Sequence, residues 1–352
     1  MFMDSMTSKE RWLAVLNREN PDRIPMDYWA TPEATRNVMK YLGCGTEDEM
    51  LGRLHIDKPF TVEPRYVGPP LEPACDMYGC RFANIDYGTG VYPECVYHPL
   101  AQYASLGEVE AHYAWPTADW FDYSVLREQV NGRERVPVRG GGSEPFLTYV
   151  DLRGMELAYM DLIDNRELVE YCLDKLFGFA CENTRRIFET IPGVVVISYV
   201  AEDFGSQESL LFSPRTIREV FVPRMKRMID LVHEAGAYVF FHSDGAVREI
   251  IPDMIAAGID VLNPLQWRAK GMDRDRLKRD FGDRVILHGG VDNQHTIPFG
   301  SAEDVRQEVL DNLRILGAGG GYILAPCHNI QAISPAENIV ALYETGYEYG
   351  RR

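Results

Sequence analysis

From residue 136 onward, short runs of β-branched and aliphatic residues alternate with amphipathic stretches long enough to be helices. This alternation constrains the fold more than any other feature, because repeated strand–helix units with this period build a parallel sheet. The spacing predicts strands at 136–140, 194–200, 237–242, 261–264, 285–289 and 321–325. Helices are expected over 167–190, 214–235, 247–257, 302–316 and 335–349. Gly236, Gly258 and Gly317 each follow a helical stretch, where glycine readily takes the turn that stops a helix. Six such units, a first strand at 23–29 and an eighth within 60–67 make a (β/α)8 TIM-type barrel, α/β in class, as a single domain over residues 1–352. No Gly-x-Gly-x-x-Gly follows the first strand, so nothing argues for a dinucleotide site.

Two additions precede the regular region. Thr7 and Glu10 form a capping box that opens a helical segment carrying Trp12, Leu13, Val15 and Leu16, which ends near Asn20 and Pro21. Residues 58–103 are dense in Pro, Gly, Tyr and Cys, and the alternation at 80–87 and 90–98 predicts a β-hairpin excursion over one end of the barrel. The net charge of −17 opposes any partner that is a nucleic acid or an anionic membrane surface. The start of the chain lacks the pattern of a secretory signal, and no apolar run approaches the roughly 20 residues that cross a bilayer. Seven cysteines, an odd number without a Cys-x-x-Cys pair, fit reduced thiols and a cytoplasmic location. Cys75, Cys80 and Cys95 lie close in sequence, but their spacing matches no standard zinc module.

Catalytic side chains of barrels project from the carboxyl ends of strands. Five consecutive strand ends here carry chemistry: Glu202, Asp203 and Gln207; His242 and Asp244; Asn263 and Gln266; His288, Asp292 and Asn293; Cys327 and His328. Any one of these has a bland explanation as a cap or loop brace, whereas five together at one mouth predict a functional pocket. His242 and Asp244, two residues apart at a strand end, can face the same side. With Cys327 or His328 they give three donors and an open position, the arrangement that holds catalytic zinc. A metal-free carboxylate–histidine pair is the alternative that spacing leaves open.

The motifs Leu152-Arg-Gly-Met-Glu156, Ala201-Glu-Asp-Phe-Gly-Ser-Gln207, Phe241-His-Ser-Asp-Gly245, Ile259-Asp-Val-Leu-Asn-Pro264, Leu287-His-Gly-Gly-Val-Asp292 and Ser334-Pro-Ala-Glu-Asn-Ile339 occur in this order. In them the chain resembles the uroporphyrinogen decarboxylase superfamily, which implies a TIM-type barrel over nearly the whole sequence. True decarboxylases of that superfamily carry an arginine-rich amino-terminal segment for a substrate with many carboxylates. Here the equivalent stretch, Arg23 to Glu33, has one arginine and two acids. The resemblance therefore implies the other branch, the zinc-dependent methyltransferases that work with corrinoid proteins.

In that branch the metal motif is His-x-Cys with a third ligand near the last strand. His242 matches the first ligand, Asp244 stands at the cysteine position, and His328 falls at the third, beside Cys327. Replacing thiolate by carboxylate makes the expected site harder and more Lewis acidic, which suits an ether or alcohol oxygen. The implied activity is methyl transfer between a small methylated compound, such as a methoxylated aromatic undergoing O-demethylation, and a corrinoid. Glu202, Asp203 and Asp292 are the expected proton-transfer or further ligand groups, and Gln207, Asn263, Gln266, His288 and Asn293 the expected substrate-orienting groups. Tyr87, Tyr92 and Tyr97 of the excursion are expected to shape a flat pocket. No Asp-x-His-x-x-Gly corrinoid module is present, so the corrinoid (cobalamin) is expected on a separate partner protein. Metal-free decarboxylation of a smaller substrate, a non-catalytic barrel that binds a tetrapyrrole or carrier, and assembly as a homodimer remain open alternatives.

Overall fold

Seven strands pair into one all-parallel sheet in simple sequential order: β1 (Phe60–Val62), β2 (Val138–Ser143), β3 (Val195–Ala201), β4 (Tyr238–His242), β5 (Val261–Leu265), β6 (Ile286–Val291) and β7 (Tyr322–Pro326). The computed structural model describes residues 4–88 and 90–351, so the outermost residues of the expected domain, and residue 89 within the expected excursion, lie outside the described residues. The helices between strands, among them Arg166–Thr190, Val222–Glu234, Ile251–Ala257, Arg274–Phe281, Ala302–Ile315 and Ala336–Tyr349, cover the sheet. Every residue of β5, β6 and β7 is buried, as expected for parallel strands covered on both faces.

The expected strand at 23–29 is realised as single bridges. Met26 and Ala30 bridge in parallel to Leu324 and Ile330, the Asp27 N–H donates to the Leu324 carbonyl at 2.9 Å, and the Asp57 N–H donates to the Met26 carbonyl at 2.7 Å. A continuous ladder does not form because Pro25 has no N–H and the Asp57 carboxylate takes that of Met26 at 3.0 Å. The eighth strand expected within 60–67 is present as β1.

The capping box forms as read: Thr7 accepts from Glu10 N–H while the Glu10 carboxylate accepts from Thr7 N–H, opening the helix Ser8–Leu16. This helix packs Trp12, Val15 and Leu16 against Val196, Ile197, Phe240, Val261, Ile286 and Ile323, which belong to five neighbouring strands. It thereby seals the end opposite the strand carboxyl termini. The hairpin excursion is Arg81–Asp86 paired antiparallel with Val91–Tyr97. It leans on the mouth side through His98 Nδ1 to the Asp151 carbonyl and the Tyr87 hydroxyl to Gln331 Oε1. Among the described residues no helix is long and apolar enough to cross a membrane.

A candidate metal centre beside an aromatic cavity

The sheet register levels the strand ends. Ala201 at the end of β3 pairs with His242 at the end of β4, and His242 pairs with Asn263 in β5. Asp244 and His328 each follow their strand by two residues, so they reach the same mouth. One ligand atom from each of His242, Asp244 and His328 lies within 4.8 Å of the others, the sole such group among the described residues. His242 Nε2 is 3.8 Å from Asp244 Oδ1, and His328 Nε2 is 3.6 Å from Asp244 Oδ2. Two donors about 2 Å from one tetrahedral ion lie roughly 3.3 Å apart, so each histidine–carboxylate pair needs only a small contraction. Asp203 Oδ1, 3.9 Å from His242 Nε2, stands by as a fourth oxygen and accepts the Asp244 N–H at 3.0 Å.

Two observations fit a cation here. First, Asp244 Oδ1 is buried without a hydrogen-bond partner, a costly state for a carboxylate oxygen unless a positive charge meets it. Burial pushes the Asp244 carboxyl up to about 6, His242 pulls the other way, and the charge of Asp203 adds to the rise.

Second, a buried relay fixes the orientation of the His242 ring. Burial raises Asp27, but hydrogen bonds from His288, the Trp29 indole and the Tyr28 N–H outweigh it and hold the carboxyl below its ordinary range. The ionised Asp27 therefore accepts the His288 Nε2 proton at 3.0 Å. His288 Nδ1 then accepts from Asn263 Nδ2 at 2.7 Å, which turns Asn263 Oδ1 toward the His242 Nδ1 proton at 2.6 Å. Each direction follows from the one before it, and the last turns Nε2 of His242 toward Asp244 and Asp203. A hydrogen-bonded second nitrogen is the usual support of a metal-binding histidine.

The remaining sequence-predicted residues divide. Cys327 does not join the group: its thiol donates to the Leu265 carbonyl at 2.9 Å, and burial, with Glu308 and Asp292 nearby, pushes it well above the ordinary thiol range. Of the neighbouring pair it is His328 that faces Asp244. Glu202 is buried and accepts the Phe146 N–H at the start of the helix Pro145–Arg153, and burial raises its carboxyl well above the usual range. Asp292 pairs with Arg268 and accepts the Gln294 and Thr296 N–H groups, so it braces a loop and a short helix. Gln207 donates to Gln266 Oε1 at 3.2 Å, and Gln266 also accepts the Gly245 N–H at 2.8 Å. Asn293 Nδ2 donates weakly to the Asn329 carbonyl at 3.4 Å. Asn263 and His288 serve the relay described above.

A cavity of about 660 Å³ adjoins the group, walled in part by Trp29, Tyr199, Phe240, Phe121, Phe179 and Arg139. His242, Asp244 and His328 are not among the residues that line it, but Trp29 and Tyr199, which do, also lie against the His242 ring. Trp29 stacks on the His242 ring at 5.7 Å and 15°, and the Tyr199 ring lies 5.4 Å from that of His242. Tyr87, Tyr92 and Tyr97 are exposed on the hairpin, and none of them lines this cavity.

Sequence reasoning missed Asp27, Trp29, Arg139, Glu144 and Tyr199. Glu144 directly follows β2, as Glu202 follows β3, and burial together with Asp203, Asp244 and Asp151 pushes its carboxyl up to about 7. Strand-end reasoning would have found it had the strand been carried through Gly140, Gly141 and Gly142 to Ser143.

A parallel α/β scaffold that gathers two histidines and carboxylates at its strand ends, next to an aromatic cavity, defines a barrel-type protein with a metal-type site. The profile of the uroporphyrinogen decarboxylase (URO-D) family matches residues 85–349, well over half of the sequence, and the chain belongs to that family. Methylcobamide:CoM methyltransferase MtaA of Methanosarcina barkeri is 27% identical over 225 residues, covering 64% of this chain and 61% of that protein. The chain thus spans about three fifths of the length of this curated relative. A uroporphyrinogen decarboxylase of Pseudoalteromonas translucida is 23% identical over 377 residues, covering 99% of each. A solved methyltransferase from Methanosarcina mazei superposes with a TM-score of 0.67 at 21% identity, over 98% of this chain and 99% of that one, which establishes a common fold.

Proposed function

We propose that this chain is a zinc-dependent methyltransferase that moves a methyl group between a small methylated compound, a methoxylated aromatic, and a corrinoid held by a separate protein. The observation that carries the reading is the His242–Asp244–His328 group, with its orphaned carboxylate oxygen and its imidazole held by Asn263, set beside an aromatic cavity. Similarity to a methylcobamide-dependent relative supports it. The same reading takes the fold as a closed (β/α)8 barrel, in which residues 25–30 stand between β7 and β1; their hydrogen bonds to Leu324 and Asp57 support this.

His242, Asp244 and His328 would hold the zinc, with Asp203 in reserve, and the ion would supply Lewis acidity toward an ether oxygen. The corrinoid would exchange the methyl group. The chain's own residues do the rest. Trp29 and Tyr199 present flat apolar faces between cavity and donors, which positions a ring and keeps water from the methyl group. Glu144, its carboxyl raised by burial to about 7 and so protonated in part at neutral pH, is placed to give a proton to a departing oxygen, a role expected of Glu202 or Asp203 from sequence.

The test is metal analysis of protein purified without chelator, combined with methyl transfer from methoxylated aromatics to a corrinoid protein. Near-stoichiometric zinc is expected, lost in His242→Ala and in His328→Ala together with turnover. A metal-free protein with intact turnover would sink the reading. Decarboxylation of the URO-D type has the full-length similarity to the Pseudoalteromonas enzyme in its favour. Against it, Arg139 and Lys58 are the only cations among the residues bordering the cavity, few for a substrate bearing many carboxylates. Neither metal nor turnover with any substrate would leave a binding barrel.

A further inference from the structure

The cavity beside the donor group is bordered by Arg139, a cation with no ion-pair partner among the described residues, although Asp27 and Glu63 border the same cavity. Arg139, on β2, donates its Nε–H to Thr61 Oγ1 at 3.1 Å, and its guanidinium carbon lies 5.7 Å from the centre of the Tyr199 ring. Among the described residues its two terminal nitrogens make no hydrogen bond and no carboxylate lies within 4.0 Å of it. The buried arginines have acids: Arg11 and Arg23 share Asp57, Arg153 meets Asp161 and Arg224 meets Asp174. Of the half-buried arginines that meet no acid among the described residues, Arg133 lies over the Phe60 ring and Arg274 donates to Asn312 Oδ1, whereas Arg139 faces the cavity. Lys58, the other cation bordering the cavity, is already paired with Glu47 at 2.7 Å.

The walls next to Arg139 are flat. Phe240 lies nearly parallel to both Trp29, at 6.1 Å and 26°, and Tyr199, at 6.4 Å and 25°. Tyr199 is the common neighbour of Arg139 and His242, its ring centre 5.7 Å from the guanidinium carbon and 5.4 Å from the imidazole centre. A guanidinium fork with both terminal nitrogens free is matched by a carboxylate bound through two parallel hydrogen bonds.

We propose that Arg139 and Thr61 form the anion-binding end of this cavity and that its ligand is an aryl carboxylate. The ring lies along Trp29, Tyr199 and Phe240, and the substituent opposite the carboxylate points toward His242. What then happens to that substituent rests on the methyltransferase reading; the binding does not.

Calorimetric titration of the full chain, with and without zinc, using 4-methoxybenzoate, its methyl ester and cyclohexanecarboxylate, tests this directly. The acid is expected to bind at least 30-fold more tightly than the ester and at least 10-fold more tightly than the non-aromatic acid. Arg139→Gln should abolish the preference for acid over ester, and Arg139→Lys should keep part of it. Equal binding of acid and ester, or binding of neither, overturns the proposal, as does a preference that survives Arg139→Gln. Equal binding of the cyclohexane acid overturns the aromatic assignment. The ligand series on the unaltered chain decides the matter even if Arg139→Gln fails to fold. Acid binding without methyl transfer would overturn the methyltransferase reading alone, and methyl transfer from neutral ethers with no preference for the acid would overturn this proposal alone.

Discussion

At the residue scale the pivot is Asn263, whose amide is the sole neutral link between two imidazoles. Asn263→Leu removes the acceptor of the His242 proton and the donor to His288 while nearly conserving volume, so both ring orientations are freed. Zinc affinity is expected to fall about 10- to 100-fold, read by competition with a chromophoric chelator; unchanged affinity would mean that the relay does not orient His242. Glu144 gives a second expectation with a defined sign. Its carboxyl rises from 4.5 to about 7 on folding, so between those values the unfolded chain has lost a proton that the folded one keeps. Stability must therefore fall as pH climbs through that window, by up to about 3 kcal/mol, less what partial exposure screens. Glu144→Gln should flatten the slope in urea unfolding between pH 5 and pH 8, and an identical slope in the variant would count against burial as its cause. That His242, Asp244 and the Cys327–His328 pair meet at one mouth was legible from sequence, because strand ends and spacing place them there. Which of Cys327 and His328 faces the mouth was not, since adjacent residues differ only in the direction they leave the strand.

At the scale of elements, β2 explains most of what sequence reading lost. Its end was set at Gly140, because glycine weakens a strand on propensity alone. The structure uses Gly140, Gly141 and Gly142 for close approach: a Cβ on Gly142 would stand 2.2 Å from the Tyr199 carbonyl oxygen, at φ +133°. Gly142→Ala should destabilise by more than about 3 kcal/mol, measured as a loss of melting temperature, through backbone clash and strain. Thr7→Ala, which dissolves one capping box at the surface, should cost only about 1 kcal/mol. The later strand–helix units were readable because their apolar periods were clean. Residues 23–29 read as a strand, but Asp27 and Trp29 lie within that stretch, whereas strand-end reasoning looks to the residues that follow one.

For the molecule as a whole, Asp57 ties the amino-terminal helix to the sheet. Its buried carboxylate takes Arg11, Arg23, the Ser8 hydroxyl and the Met26 N–H, so helix, bridging segment and the approach to β1 depend on one side chain. Asp57→Ala leaves two buried guanidinium groups short of a counter-charge and is expected to destabilise by about 3–5 kcal/mol in denaturant unfolding. The bridging segment itself has a consequence in time. Met26 completes its contacts with Leu324, nearly 300 residues later. At about 5–20 residues per second, a ribosome reaches that partner roughly 15–60 s after making Met26. Through that interval β1 presents an unpaired edge and the Trp12 helix has no complete floor to cover, so the nascent chain must be kept from aggregating until its last strand arrives.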